Sequence, residues 1–241
     1  MEPHRNEYEQ PIGAPLPHWT GAQAPQPTTL IGRYVRLEPV DAARHGRALH
    51  EAYAETDGDP VWTYLAIGPF AGETAFHDHL ARIAGSTDPR HFALIDLATG
   101  QPVGTFALMR VDTANGVIEV GFVVYSPRLR RTRIATEALY LLMRHVFDEL
   151  GYRRFEWKCD ALNAPSRTAA LRYGFRFEGI FRQATVYKGR TRDTAWYSII
   201  DAEWPALRSA YERWLDARNF TADGAQIERL SDLTRTAAAG R

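Results

Sequence analysis

Residues 117–133 read VIEVGFVVYSPRLRRTR and lead directly into an apolar stretch with helical spacing. The first nine residues are rich in β-branched and aromatic side chains, which predicts a strand over 117–125. A Ser-Pro pair ends this strand, an arginine-rich loop follows over 128–133, and Thr132 is a candidate N-cap for the helix. A helix N-terminus presents unpaired N–H groups and positive potential, so the strand–loop–helix unit favours a phosphate. A solvated basic loop at an ordinary helix start is the alternative interpretation.

Apolar residues then recur at helical spacing from Ala135 to Leu150, and Gly151 ends the pattern, which predicts the longest helix of the core. Besides 117–125, strands are predicted at 34–37, 92–97, 103–111, 154–159, 175–187 and 192–200. Other helices are predicted at 41–54, 72–83, 164–172 and 206–219, with a loop at 57–60. The three strands between 92 and 125 form an antiparallel meander, and the whole order predicts a mixed α/β (α+β) fold.

The length of 241 residues, 45% of them hydrophobic, suits one core domain with additional chain at both ends. Six prolines in residues 1–28 predict an extended N-terminal arm that is neither helix nor strand. The domain itself is expected at 29–201, with an appended helix in 202–220. Residues 221–241 are small and polar and predict a flexible tail.

Composition excludes several classes of function. Lys plus Arg and Asp plus Glu both number 29, so there is no excess charge to favour nucleic acid or anionic lipid. Cys159 is the only cysteine, which excludes an intramolecular disulfide and a zinc site built from several cysteines. No apolar stretch approaches membrane-spanning length and the N-terminus has no secretory pattern. We therefore expect a cytoplasmic protein without metal, membrane or nucleic-acid partners.

The order of elements over about residues 30–200, with the strand–Pro–loop–helix unit, resembles the acetyl-CoA-binding region of GNAT-superfamily N-acetyltransferases. That family's pattern is Gln/Arg-x-x-Gly-x-Gly/Ala, and here Arg130 and Ala135 take its first and last places. The resemblance implies a mostly antiparallel central sheet flanked by helices. It also implies that acetyl-CoA is held by Val123, Tyr125, Arg130, Arg131, Thr132, Arg133, Ile134, Ala135 and Thr136.

Arg133 departs from the family pattern, because it stands where glycine normally lets the backbone approach pyrophosphate. Two outcomes are open. The side chain points outward while its N–H still binds phosphate, or it blocks the site and leaves a non-catalytic relative.

A second resemblance covers Asn163-Ala164-Pro165-Ser166 and the later Gly174-Phe175, which are similar to the family's Asn-x-x-Ser…Gly-Phe segment. Asn163 is a helix N-cap, a cofactor contact, or both. Many GNAT enzymes place a general-acid tyrosine in this helix, but here Ala170 takes that position and Tyr173 is displaced by three residues. The RimJ/RimL-like branch uses the serine instead, which nominates Ser166 as the donor to the departing thiolate. A serine that bonds its own backbone is the alternative.

Glu119 is the candidate base, since its place on the strand eleven residues before Arg130 resembles that of the catalytic glutamate in several GNAT enzymes. A glutamate on a solvated strand face is the alternative. Some members of the branch carry a glutamate where Thr185 stands here, and Asp193 is a substitute.

The family's use of the strand end implies that the N–H of Val123 polarises the thioester carbonyl and that Tyr125 pairs with the pantetheine arm. Cys159 has no adjacent histidine, so direct transfer is favoured over a thioester on the enzyme. Trp62, Tyr64 and Phe70 either cover the acceptor site, as the resemblance implies, or pack in the core.

Together these features predict direct acetyl transfer from the co-substrate acetyl-CoA to a primary amine. The acceptor is a protein N-terminal α-amine or a small-molecule amine, and a homodimer is left open. A CoA-binding sensor that has lost catalysis is the alternative function. Nucleic-acid binding through the arginine loop is disfavoured, because aromatic residues are not interleaved with the arginines.

Overall fold

A sheet of eight strands lies at the centre of the computed structural model, which describes residues 3–55 and 60–239. The eight strands of this sheet are β3 (Leu30–Ile31), β4 (Val35–Pro39), β5 (Arg90–Asp96), β6 (Pro102–Asp112), β7 (Val117–Tyr125), β8 (Arg154–Asp160), β9 (Arg176–Tyr187) and β10 (Arg190–Ile200), and two short strands, β1 (His4–Arg5) and β2 (Pro11–Ile12), precede them in the N-terminal arm. The α-helices are α1 (Ala42–Tyr53), α2 (Gly72–Ala84), α3 (Arg133–Arg144), α4 (Ala164–Arg172), α5 (Trp204–Leu215) and α6 (Leu230–Ala239). Of the loop predicted at 57–60, only Pro60 lies within the described residues, and it begins a 3₁₀ turn that ends at Trp62.

The strand order in the sheet is β3-β4-β5-β6-β7-β8-β10-β9. Neighbours are antiparallel except for β7 and β8, which are parallel because α3 connects them. This confirms the mixed, mostly antiparallel sheet flanked by helices.

The sheet carries helices on both faces, and each face has its own apolar core. The larger core lies under α3, α4 and α5 and includes Phe155, Leu142 and Tyr211. The smaller core lies under α1 and α2 and includes Leu49 and Phe76. Burial of these side chains on both faces holds the strands in one register.

Helix α3 begins as predicted, because the Thr132 hydroxyl accepts a hydrogen bond from the Ala135 N–H at 3.3 Å. Its predicted continuation to Leu150 is a π-helical turn over His145–Glu149, in which the Leu150 N–H bonds the His145 carbonyl. Gly151 ends the segment with a φ of +73°, a conformation that glycine adopts without steric cost.

The N-terminal arm departs from the prediction, because β1 and β2 pair as a short antiparallel hairpin. The Asn6 side chain explains it: its Oδ1 accepts hydrogen bonds from the N–H groups of Tyr8 and Gln10 and so closes the turn. Further along, the Trp19 indole donates to the Ala114 carbonyl at 2.7 Å, which fixes the arm to the β6–β7 turn.

The prediction of a flexible tail over 221–241 is wrong for residues 230–239, which form α6. Leu230 is buried, and the Thr234 hydroxyl donates to the Arg172 carbonyl of α4 at 3.2 Å. The helical spacing of Leu230, Leu233 and Ala237 gives α6 an apolar face, a signal that the polar composition of the segment obscures. The predicted appended helix is α5, followed by a 3₁₀ turn at Ala217–Asn219.

Candidate active site

Strands β7 and β8 diverge at the centre of the sheet. They pair from Val117–Arg154 to Val120–Trp157, and the pairing stops there. On the other side, Gly121 faces Ala107 and Val124 faces Thr105, so two residues of β7 bulge opposite Phe106 alone. The bulge places Phe122 at a φ of +49° and leaves Val123 without a register partner among the described strands. The backbone of Val123 is therefore unpaired on the side where β8 diverges from β7.

The loop after β7 forms a tight turn at the N-terminus of α3. The Ser126 carbonyl accepts hydrogen bonds from the N–H groups of Leu129 and Arg130, and Leu129 is fully buried beneath the turn. Arg131 adopts a φ of +62°, which directs the chain into the Thr132 cap. The first helical N–H groups then have no intrahelical acceptor, so they can bind an anion.

The arginines of this loop point in different directions. The Arg130 Nε donates to the Tyr125 carbonyl at 3.2 Å, while the Arg128 guanidinium pairs with Glu55. The Arg133 guanidinium lies between two rings, 4.3 Å from the centre of Phe220 and 5.2 Å from that of Tyr34. The side chain that replaces the motif glycine therefore points to the C-terminal segment. A cavity of about 430 Å³ lies beside it, lined by residues that include Arg33 and Tyr34.

Asn163 caps α4, since its Oδ1 accepts the Ser166 N–H at 3.1 Å. The Ser166 hydroxyl oxygen accepts the Trp157 indole N–H at 3.0 Å, and the hydroxyl proton faces the Cys159 sulfur. Ala170 is fully buried where many family members carry tyrosine. Burial raises the pKa of the Tyr173 phenol, which keeps it protonated at neutral pH.

Glu119 is buried within a group of charged side chains on the sheet face that packs against α1 and α2. Its Oε2 lies 3.0 Å from the Lys158 Nζ and 3.2 Å from the Arg110 Nε. Lys158 also contacts Glu156 at 2.5 Å, and Arg154 bonds the other oxygen of Glu156 at 2.7 Å. Burial raises the pKa of Glu119, while the neighbouring Lys158 and Arg110 act in the opposite direction. Glu119 is therefore not the solvated strand residue of the alternative interpretation.

Lys158 and Trp157 are functional candidates that the sequence reasoning missed. Glu119 and Glu156 are register partners, so Lys158, two residues further along β8, shares their face. Its ammonium lies 3.8 Å from the ring centre of Trp196, which stacks on Phe181. Trp157 points to the opposite face, so Ser166 and Glu119 lie on opposite sides of the sheet.

Asp193 supports a bulge in β9. Its Oδ1 accepts the Gln183 N–H at 2.7 Å, and Gln183 has a φ of +49°. Thr185 faces Arg192 in the register and is exposed. A cavity of about 910 Å³ opens here, lined by Phe181, Arg182, Gln183, Ala184, Thr191 and Asp193.

The aromatic residues of the α1–α2 connection have two kinds of contact: some pack in the smaller core, and one bonds another loop. Trp62 is buried with Phe70 edge-on to its ring at 5.2 Å, so both belong to the smaller core. The Tyr64 hydroxyl instead donates to the Leu162 carbonyl at 3.3 Å. From the β9–β10 hairpin, Lys188 and Arg190 donate to the carbonyls of Trp62 and Thr63 at 2.7 and 2.8 Å. The connection, the hairpin and the β8–α4 loop are thus linked.

Cys159 lies on β8 facing the α4 side. It is buried, and burial raises the pKa of its thiol, which disfavours the nucleophilic thiolate. Within residues 3–55 and 60–239, every helix is too short or too polar to cross a bilayer.

Comparisons with known proteins agree on this arrangement. A family model described as acetyltransferase (GNAT) domain matches residues 35–176. The crystal structure of a GCN5-related N-acetyltransferase from Brucella melitensis superposes with a TM-score of 0.89 at 49% identity, over 91% of this chain and 100% of that one. The N-acetyltransferase p20 of Bacillus licheniformis is 27% identical over 150 residues, which cover 61% of this chain and 84% of the relative. The ribosomal-protein-serine acetyltransferase of Escherichia coli (strain K12) is 30% identical over 102 residues, covering 42% of this chain and 56% of the relative.

Proposed function

The chain belongs to the GNAT family of acetyltransferases, in its RimJ/RimL-like branch, and on that premise we propose that it transfers an acetyl group from acetyl-CoA directly to a primary amine. The observation that carries this proposal is the divergence of β7 from β8 after Val120, followed along the chain by the turn and helix N-terminus that can bind an anion at the start of α3. Acetyl-CoA matches both features, because its pantetheine arm can lie along the diverging strands and its pyrophosphate can bind at the turn.

The turn supplies the binding groups for the pyrophosphate. The N–H groups of Arg133 and Ile134 lie in the first turn of α3, and the side chains of Arg130 and Arg131 are exposed beside them. Ala135 and Thr136 follow within the same turn and are buried, so their contribution is to hold its shape. Asn163 fixes the start of α4, which follows β8 along the chain.

The thioester lies beside the bulge in this proposal. The Val123 N–H donates to the thioester oxygen and stabilises the charge that develops there during attack. The backbone of Tyr125, at the end of the same strand, pairs with the pantetheine arm. Arg130 bonds the Tyr125 carbonyl in the structure, so its side chain lies beside the proposed path of the arm.

Glu119 acts as the base, through a water molecule. It takes the proton of the acceptor ammonium, and the free amine then attacks the acetyl carbon while the carbon–sulfur bond breaks. Ser166, whose oxygen accepts the Trp157 N–H, donates a hydrogen bond from its hydroxyl to the departing thiolate. The thiolate then takes up the second proton of the attacking nitrogen, and Ser166 keeps its own. The products are an acetylated amine, free CoA and a proton released to solvent.

For the acceptor, we favour the N-terminal α-amine of a protein over a small amine. The support is the name of the Escherichia coli relative, a ribosomal-protein-serine acetyltransferase. In this proposal the acceptor side is bordered by the β9–β10 hairpin and the α1–α2 connection, which Lys188 and Arg190 join.

Calorimetry with acetyl-CoA, followed by thiol release against a panel of peptides and small amines, tests this function. We expect binding and turnover with peptides that carry a free α-amine. Binding without turnover on any amine would instead support the alternative, a CoA-binding sensor.

The Glu119→Gln substitution tests the base. We expect kcat to fall about 100-fold and the ascending limb of the pH profile to disappear, with unchanged affinity for acetyl-CoA. Ser166→Ala lowers kcat by about tenfold, because it removes one hydrogen bond to the thiolate. Glu51→Gln, an exposed carboxylate on α1, is the control. A pH profile of Glu119→Gln identical to that of the wild type would exclude Glu119 as the base.

A further inference from the structure

The segment between α5 and α6 has a defined structure that ends beside the anion-binding turn. Phe220 forms a β-bridge with Gln226, and the Ile227 N–H bonds the Asn219 carbonyl at 2.7 Å. The buried Asn219 side chain joins both sides of the loop, since its amide donates to the carbonyls of Trp214 and Glu228. The position of Phe220 is therefore fixed by its own loop.

The second ring beside Arg133 is fixed from the opposite end of the domain. Tyr34 donates its backbone N–H to Glu137 Oε2 at 2.6 Å, and the Arg33 N–H bonds Glu137 Oε1 at 2.8 Å. Glu137 lies one turn after Arg133 on α3. Two rings from distant parts of the chain thus contact the guanidinium of Arg133, and each ring is held by hydrogen bonds of its own backbone segment.

We infer that Phe220 and Tyr34 are positioning residues for acetyl-CoA, because they hold the Arg133 side chain away from the N–H groups that bind its pyrophosphate. The inference rests on the proposed function. An unrestrained arginine at this position samples the space above the first turn of α3, which the donor would have to clear on binding. Stacking on two rings favours one conformation and leaves the backbone accessible, as the family's glycine does by having no side chain.

The C-terminal segment therefore has a role that the catalytic domain alone does not supply. The family match ends at residue 176, whereas Phe220 lies beyond α5. In this chain an arginine at the glycine position and a loop that restrains it occur together. The effect of substituting Phe220 on acetyl-CoA binding must then depend on whether residue 133 is arginine.

A double-mutant cycle tests this dependence, with calorimetry of acetyl-CoA binding as the measurement. We expect Phe220→Ala to raise the Kd about three- to tenfold, and Phe220→Trp, which keeps a ring, to stay within about twofold of the wild type. Arg133→Gly binds nearly as the wild type does, since no side chain needs restraint. In the Arg133→Gly background, Phe220→Ala has no further effect. In turnover, Phe220→Ala raises KM for acetyl-CoA and leaves kcat unchanged.

Trp19→Ala is the matched control, because Trp19 stacks on Arg153 and anchors the other terminal segment far from this turn. Its Kd for acetyl-CoA should equal that of the wild type. Equal losses from Phe220→Ala in both backgrounds would reduce Phe220 to a structural role and overturn the inference, as would an unchanged or tighter Kd. Failure of the wild-type protein to bind acetyl-CoA would refute the proposed function instead, so the two failures are distinguishable.

Discussion

Glu119 is subject to opposing electrostatic influences. Burial raises its pKa and Glu156 adds to this, while Lys158 and Arg110 lower it. Arg154 neutralises Glu156 from its far side and so leaves more of the Lys158 charge for Glu119. If Glu119 is the base, as proposed, Lys158 is therefore the neighbour with the largest effect on the pH at which it loses its proton.

Lys158→Met should shift the pH dependence of kcat/KM. Removal of the ammonium raises the pKa of Glu119 further, and because the base works only when deprotonated, the ascending limb moves to higher pH. The pH–rate profile measures the shift, which we expect to be about one unit.

Lys158→Arg keeps the charge and should leave the limb near its wild-type position. A limb that stays in place in Lys158→Met, or moves to lower pH, would contradict the role assigned to Lys158. A lower rate without a shift in the pH profile would indicate only a packing defect. The test therefore depends on the position of the ascending limb and not on the rate.

At the scale of single residues, the sequence predicts those whose structural role depends on their neighbours along the chain. Thr132 and Asn163 are helix caps at the predicted positions, and Glu119 lies on the predicted strand β7. Lys158 could not be predicted in the same way, because its contact with Glu119 depends on the register of β8 against β7. That register is set by burial on both faces of the sheet, which is a long-range property.

Among the elements, α6 departs furthest from expectation. It packs Leu230 against the core beneath α5, and this position is buried where a flexible tail was predicted. Its composition of small and polar residues favours disorder, but three apolar residues on one face suffice once α4 and α5 provide a surface. Conversely, β7 and α4 have their predicted bounds, because turn residues and caps delimit them locally.

Leu230→Ala should lower the free energy of unfolding by about 2–4 kcal/mol, since it leaves a cavity in a packed site. Urea unfolding followed by fluorescence measures the change. Ile227→Ala, on an exposed side chain of the preceding loop, should change stability by less than about 0.5 kcal/mol. Equal midpoints for Leu230→Ala and the wild type would mean that the tail is unpacked in solution.

In the whole molecule, the proposed acceptor side is formed by segments that are distant in sequence. Lys188 and Arg190 reach the carbonyls of Trp62 and Thr63 across more than 120 residues of chain. These bonds join the β9–β10 hairpin to the α1–α2 connection. The donor side, at the start of α3, takes no part in them.

The double substitution Lys188→Ala with Arg190→Ala should therefore separate the two substrates. Loss of both bonds loosens the acceptor wall, so we expect KM for a peptide acceptor to rise about three- to tenfold. KM for acetyl-CoA should stay within about twofold. Arg47→Ala, which removes an exposed charge from α1, serves as the control. Parallel changes in both KM values would argue against separate donor and acceptor sides.

The divergence of β7 and β8 also divides the sheet mechanically. Only four residue pairs, from Val117–Arg154 to Val120–Trp157, join a five-stranded half to a three-stranded half. Beyond these four pairs, the facing edges of β7 and β8 do not pair with each other, so their backbone N–H and C=O groups need other hydrogen-bond partners. A ligand with peptide-like amides can hydrogen-bond to such an edge. In the proposed function, acetyl-CoA would therefore take the place of an additional strand between β7 and β8. Release of the product CoA would then leave the edges of β7 and β8 unpaired again after every turnover.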